Sequence, residues 1–229
     1  MAASSRLCLV CMVILLAGGA SAVTVSLEPD RIQQGVPVTI AIAGLPDGSV
    51  FSILVDGAVA VTPGDAFSFA LEDFSLPFTL NDGVFSATLW NTKTNVLTVV
   101  VGDTEVRKLG SSRDGVFTTT DAGTIPRGTY DLIAFGGTAA ADATVVATRL
   151  LLEGRKSGPA NSTIGFVVGG VTGGAVTITI LVDGNQEVSR TLPIGDTVIV
   201  TPTATPTPTA TPTPTATQTP TATPTPTAT

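Results

Sequence analysis

The sequence contains no histidine, and its two cysteines, Cys8 and Cys11, both fall within the first eleven residues. Without histidine there is no Ser-His-Asp or Cys-His nucleophile, and the usual zinc and copper ligand sets are missing as well. Neither a G-x-x-x-x-G-K-[ST] loop nor a dinucleotide fingerprint is present. Basic residues are scarce: 11 Lys and Arg face 18 Asp and Glu, for a net charge of −7. That balance argues against nucleic acid and against an anionic membrane surface, both of which select a basic face. Beyond the N-terminal region no segment is expected to be apolar for long enough to form a membrane helix, and 96–101 and 145–152 are strand-length runs. A bilayer needs about 20 such residues.

The N-terminus reads as an export signal. Arg6 is the only charge ahead of the apolar run Leu7 to Ala17, and Ala20-Ser21-Ala22 supplies an A-x-A cleavage site. Both cysteines sit inside the apolar run rather than at its end, which sets a lipoprotein reading aside. Removal of residues 1–22 takes away every thiol and leaves 18 acidic against 10 basic residues, a charge of −8. A chain exported in this form rests on packing and hydrogen bonds, with no disulfide.

The other terminus is a repeat. From Thr201 to Thr229 every odd position is Thr, with eight prolines among the residues between. Proline fixes φ and removes backbone donors, so neither helix nor central strand is expected. An extended polyproline-II stalk over 200–229 is expected, on the order of 90 Å long at about 3.1 Å per residue. Its fifteen threonine hydroxyls suit mucin-like O-glycosylation.

Between the ends, apolar residues alternate. Val38–Ile42, Val50–Val55, Phe67–Leu71 and Thr177–Ile180 each carry a period of two, which places one set of side chains in a core. Five Asp-Gly pairs, at Asp47, Asp56, Asp82, Asp114 and Asp183, are read as turns, because Asp and Gly tolerate positive φ. An all-β sandwich with little or no helix follows. It is expected either as two small domains, 23–102 and 103–199, meeting near Gly102-Asp103, or as one composite domain over 23–199. A faint echo links Leu27-Glu28, Thr39-Ile40 and Ile53–Gly57 with Leu152-Glu153, Thr163-Ile164 and Ile180–Gly184. It is either a repeated unit or a recurrence of strand and turn vocabulary.

Asp114-Gly115-Val116-Phe117 followed by Ile125-Pro126-Arg127-Gly128-Thr129-Tyr130-Asp131-Leu132 resembles a hairpin of carboxypeptidase-regulatory-like and other immunoglobulin-like sandwiches. The resemblance implies a fold and no activity. Tyr130, the only tyrosine, is expected to bury its ring while its hydroxyl reaches backbone. Trp90, the only tryptophan, is expected in the core between sheets, with a sugar-stacking platform as the alternative. Phe67, Phe69, Phe74, Phe78 and Phe85 read as core, with an interaction patch at Phe74–Phe78 as the lesser reading. Glu72-Asp73 is the best local carboxylate pair for glycoside chemistry and is expected in a solvated loop. Asp47, Asp56, Asp65 and Asp73 are candidates for loop calcium, without the D-x-D-x-D spacing that would support it. Gly169–Gly174 is read as a turn. Asn161-Ser162-Thr163 is the one N-glycosylation sequon, with Asn161 as acceptor.

Export signal, sandwich and threonine-rich stalk together resemble secreted cell-surface proteins of archaea, methanogens above all. The resemblance implies a non-enzymatic, surface-layer-associated or adhesive glycoprotein with no cofactor. Its partners would be other envelope proteins or surface glycans. A carbohydrate- or ligand-binding module lacking its partner domain is the other expectation. N-terminal sequencing of the exported protein is expected to begin at Val23, after cleavage at Ala22, with no thiol titratable; an intact Cys8 or Cys11 in the secreted form would overturn that assignment.

Overall fold

The structure, a computed structural model, describes residues 22–195. The expected signal peptide (1–22, all but Ala22) and the expected stalk (200–229) lie outside the described residues. Within them the chain is all-β, with thirteen strands and no helix. These are β1 (Thr24–Glu28), β2 (Pro37–Ala43), β3 (Val50–Ala60), β4 (Ala66–Leu76), β5 (Thr79–Trp90), β6 (Thr92–Val101) and β7 (Thr104–Ser111). They continue with β8 (Val116–Ile125), β9 (Gly128–Ala139), β10 (Val145–Ser157), β11 (Ser162–Gly169), β12 (Gly174–Val182) and β13 (Asn185–Ile194).

Two antiparallel sheets form a β-sandwich. One runs β1-β2-β11-β4-β9-β6-β7 and the other β13-β12-β3-β10-β5-β8. Strands from before and after Gly102 alternate in both sheets, around one continuous hydrophobic cluster. Gly102-Asp103 is the two-residue turn of the β6–β7 hairpin, where Val101 pairs with Thr104, so no domain boundary falls there. The echo segments are also resolved. Ile164 lies opposite Ile40, and Ile180 opposite Ile53, so the similar sequences are partners in two ladders. Leu27 and Leu152, by contrast, fall in different sheets.

Period-two alternation dictates the layers. On β3, Phe51, Ile53 and Val55 point inward and are at most 1% exposed; on β12, Val176, Ile178 and Ile180 are fully buried. Each such side chain contributes about 1.5–3 kcal/mol by leaving water. On β4 the phase slips. Leu71 and Phe74 are both fully buried, three residues apart, because Asp73 takes φ 54° and bulges the strand. The bulge puts Glu72 and Asp73 both outside and returns Phe74 to the core.

Three of the five Asp-Gly pairs are turns. Asp114-Gly115 and Asp183-Gly184 have positive φ at both positions, as a type I′ hairpin requires, and Asp47-Gly48 turns between β2 and β3. The other two lie inside strands. Gly57 is in β3 because the Phe69 ring, from the opposite sheet, and Thr148 occupy the space a Cβ would need. Asp82-Gly83 forms a bulge in β5, where a Cβ on Gly83 would meet the Gly123 carbonyl at 2.8 Å. The glycine run behaves as expected, turning the chain between β11 and β12.

The β1/β13 flank is tied shut. Arg190 donates to the Leu27 carbonyl at 2.8 Å and to Asp30, and Ile32 bridges to Ile194. At one end of the sandwich Lys156 is 1% exposed, its ammonium donating to the carbonyls of Leu45 and Gly158 beside Asp47. Tyr130 behaves as expected: its ring packs edge-on to Phe74, and its hydroxyl donates to the Pro126 carbonyl at 2.9 Å.

Burial raises the Tyr130 phenol above its ordinary value of 10.0. Its contribution to stability is therefore complete below about pH 10, the unfolded value, and is lost as pH climbs through the folded value. With one tyrosine in the chain, tyrosinate absorbance reads this group alone. It is expected to appear at higher pH in the folded protein than in denaturant, and coincident titrations would overturn the assignment. A second expectation concerns adjacent glycines. A Cβ on Gly137, at φ 150°, would overlap the Thr94 carbonyl, whereas one on Gly136 meets nothing closer than 3.6 Å. Gly137→Ala should cost about 3 kcal/mol, through strain and overpacking, and Gly136→Ala less than about 0.5 kcal/mol; chemical denaturation of both variants checks the contrast.

Candidate functional site

Alternation sends Trp90 outward. Its neighbours on β5, Leu89 and Ala87, take the inward positions and are fully buried. Trp90 therefore stands half-buried on the outer face of the six-stranded sheet, not between the sheets as expected. The register explains its surroundings. Across the sheet the row reads Pro193, Ala175, Ala58, Ala147, Trp90, Val116. Three consecutive alanines make a low floor, and the indole rises at its end. The next row reads Thr191, Thr177, Asp56, Arg149, Thr88, Thr118.

Arg149 and Asp56 lie directly opposite on β10 and β3. The guanidinium donates to both carboxylate oxygens, at 2.6 and 3.0 Å, and sits over the Trp90 ring at 5.7 Å. The hydrogen bonds to Asp56 raise the Arg149 pKa above its ordinary value. The bidentate pair and the cation–π contact fix the indole's orientation. Hydroxyl ladders flank the trough: Thr177 with Thr191 at 2.8 Å, and Thr118 with Thr88 at 3.2 Å. The arrangement is an open trough with an aromatic wall, a fixed charge pair and rows of hydroxyls. Such a surface suits stacking and hydrogen bonding to an extended polar ligand.

The remaining sequence candidates are dispersed. Glu72 and Asp73 are exposed on the β4 bulge of the other sheet. Asp47 faces Lys156, Asp56 holds Arg149, Asp65 lies in the β3–β4 turn and Asp73 in the bulge, so the four do not converge. Among the described residues no group of three or more His, Cys, Asp or Glu is placed to hold a metal ion. Phe74 and Phe78 are fully buried, which makes that segment core rather than patch. Asn161 is exposed immediately before β11, its side-chain oxygen accepting from the Gly44 amide at 2.9 Å.

The charge pairs went unread in the sequence, and two of them bear on these surfaces. Asp56 and Arg149 are 93 residues apart, and Asp56 was masked by its Asp-Gly dipeptide. The available signal was Arg149 interrupting the apolar run 145–152 at an outward position. Lys108, on β7, and Asp121, on β8, form the second pair, joining the edge strands of the two sheets.

No protein-family model matches the chain, and no curated protein matches it. Among solved structures, the crystal structure of Spo0M, a sporulation control protein from Bacillus subtilis, aligns with 77% of this chain at 15% identity and a TM-score of 0.15. The alignment covers 49% of that protein, about half its length. A likeness of that size carries neither fold nor function across. Among the described residues no helix is long and apolar enough to cross a membrane.

Proposed function

We propose that this chain is a secreted, non-enzymatic cell-surface protein, a glycoprotein of immunoglobulin-like β-sandwich architecture displayed on its Thr/Pro-rich stalk. In this reading its role is adhesive, and surface glycan binds along the Trp90 trough. The observation that carries the reading is the position of Trp90: on an open sheet face, oriented by Arg149 and bordered by hydroxyl rows. Aromatic faces with neighbouring hydrogen-bonding groups recognise sugars by stacking while the polar groups fix orientation.

Export is supported by the leader's charge and apolar pattern. Cleavage between Ala22 and Val23 would leave β1, which begins at Thr24, intact. The immunoglobulin-like reading draws support from Tyr130, whose hydroxyl bonds to backbone four residues upstream as in a tyrosine corner. The archaeal-type surface assignment rests on the order of leader, sandwich and stalk. Asn161 offers an exposed acceptor for a glycan. The second reading, a structural envelope component held by protein contacts, is favoured by the exposed Leu109, 71% accessible on edge strand β7.

Trp90→Ala in the full chain tests the choice. Because the ring is half-buried, the fold should survive with a loss of about 1–2 kcal/mol. Retention on host-envelope polysaccharide should fall at least tenfold. If the wild-type protein stays on washed envelopes yet binds no extracted polysaccharide, the structural reading replaces the adhesive one.

A further inference from the structure

We propose that the flank of the sandwich between β7 and β8 is a binding site for a medium-chain carboxylate, a fatty-acid-like anion of about eight to ten carbons. The site is distinct from the Trp90 trough. Here the sheets are joined across their edges by the Lys108–Asp121 pair, in place of the arginine and backbone ties of β1 and β13. Inward-facing Phe85, Leu97, Val99, Val106, Ile125 and Tyr130 line a groove of about 230 Å³. Space for a water is roughly 30 Å³, and a methylene is of similar size, so the groove holds about eight such groups. A missing side chain opens it: a Cβ built on Gly123 would meet nothing within 4 Å. Beyond Lys108 the groove is closed, because the Phe117 ring fills the place where a Cβ on Gly110 would stand.

Charge supplies the direction. Lys108 and Asp121 span the two edge strands at the end of the groove nearest Phe117, and from Asp121 to Ile125 the apolar lining continues for about 13 Å of strand. The Lys108 side chain is 29% exposed and that of Asp121 is 60% exposed. The ammonium is thus the partner that needs an anion, while the Asp121 carboxylate can return to water at little cost. An incoming carboxylate replaces it on Lys108, so the ammonium keeps an anionic partner. The chain then lies toward Tyr130 and Pro126, covering apolar surface that now faces solvent. A cationic amphiphile has no such place, since its head would meet the ammonium.

Isothermal titration of the full chain with monomeric hexanoate, octanoate and decanoate, and with octylammonium, tests this. Saturable one-to-one binding is expected, tightening about fourfold per added methylene and levelling once the groove is full. Octylammonium should bind at least tenfold more weakly than octanoate. Lys108→Gln should weaken octanoate at least tenfold, and Asp121→Asn, which removes the competing carboxylate, should tighten it several-fold. Val106→Phe, at a position 51% exposed, narrows the groove without entering the core and should abolish binding. The proposal falls if octylammonium binds as well as octanoate, or if folded Asp121→Asn binds less tightly than wild type. It falls equally if millimolar carboxylates give no saturable heat, or if the protein binds phosphatidylglycerol vesicles but no monomeric chain. Thermal melts of each variant separate loss of binding from loss of fold.

Discussion

The packing of the two sheets against each other is the constraint from which the rest of this structure follows. Only β1–β2, β6–β7 and β12–β13 join neighbours within a sheet; every other connection carries the chain across the core to the opposite sheet. Most strands therefore find their hydrogen-bonding partners only when the apolar layer between the sheets has formed, a non-local organisation of the kind that folds slowly. Two aromatic side chains key the layers together. Phe69 projects from the seven-stranded sheet into the place of the absent Gly57 side chain, and Phe117 projects the other way into that of Gly110. Each ring needs its glycine, because a methyl group there would force the sheets apart. Lys156 closes one end by giving its ammonium to loop carbonyls, and thereby ties the β2–β3 loop to the start of the β10–β11 connection.

What could be read from the sequence was what alternation alone encodes. The expected runs at Val38–Ile42, Val50–Val55, Phe67–Leu71 and Thr177–Ile180 all lie within strands, because a one-residue slip would expose an entire apolar set. Turn chemistry was legible only where no tertiary demand competed. Asp114-Gly115 and Asp183-Gly184 turn, but Asp56-Gly57 carries the same dipeptide and stays extended, since Phe69 needs the glycine and Arg149 needs the aspartate. Trp90 was misplaced for a related reason. A lone tryptophan suggests a core by size, yet alternation with the inward-facing Leu89 on β5 sends it outward, and alternation prevails over size in a strand. The trough was hidden because its row joins residues from five strands beside Trp90, and no local spacing records a register. The groove was hidden because it depends on how far two unpaired edges stand apart.

Both candidate surfaces lie toward the same side of the molecule, and the reason is mechanical. Strand β5 presents Phe85 to the groove and Trp90 to the trough, on opposite faces. Strand β8, the sheet edge beside it, sets Asp121 opposite Phe85 and Val116 opposite Trp90. An edge strand is hydrogen-bonded along one side only; β8 is held by β5, by the Lys108 ion pair and by the seating of Phe117 against Gly110. The opposite flank has a carbonyl-bound arginine and a backbone bridge, so rearranging it would break several hydrogen bonds at once. Elements with fewer such bonds open at lower cost. The strand that carries Asp121 also borders Trp90, so β8 is the element that the groove and the trough share. The β1/β13 flank is thus tied by an arginine and backbone contacts, and the β7/β8 flank by an ion pair and the seated Phe117 ring.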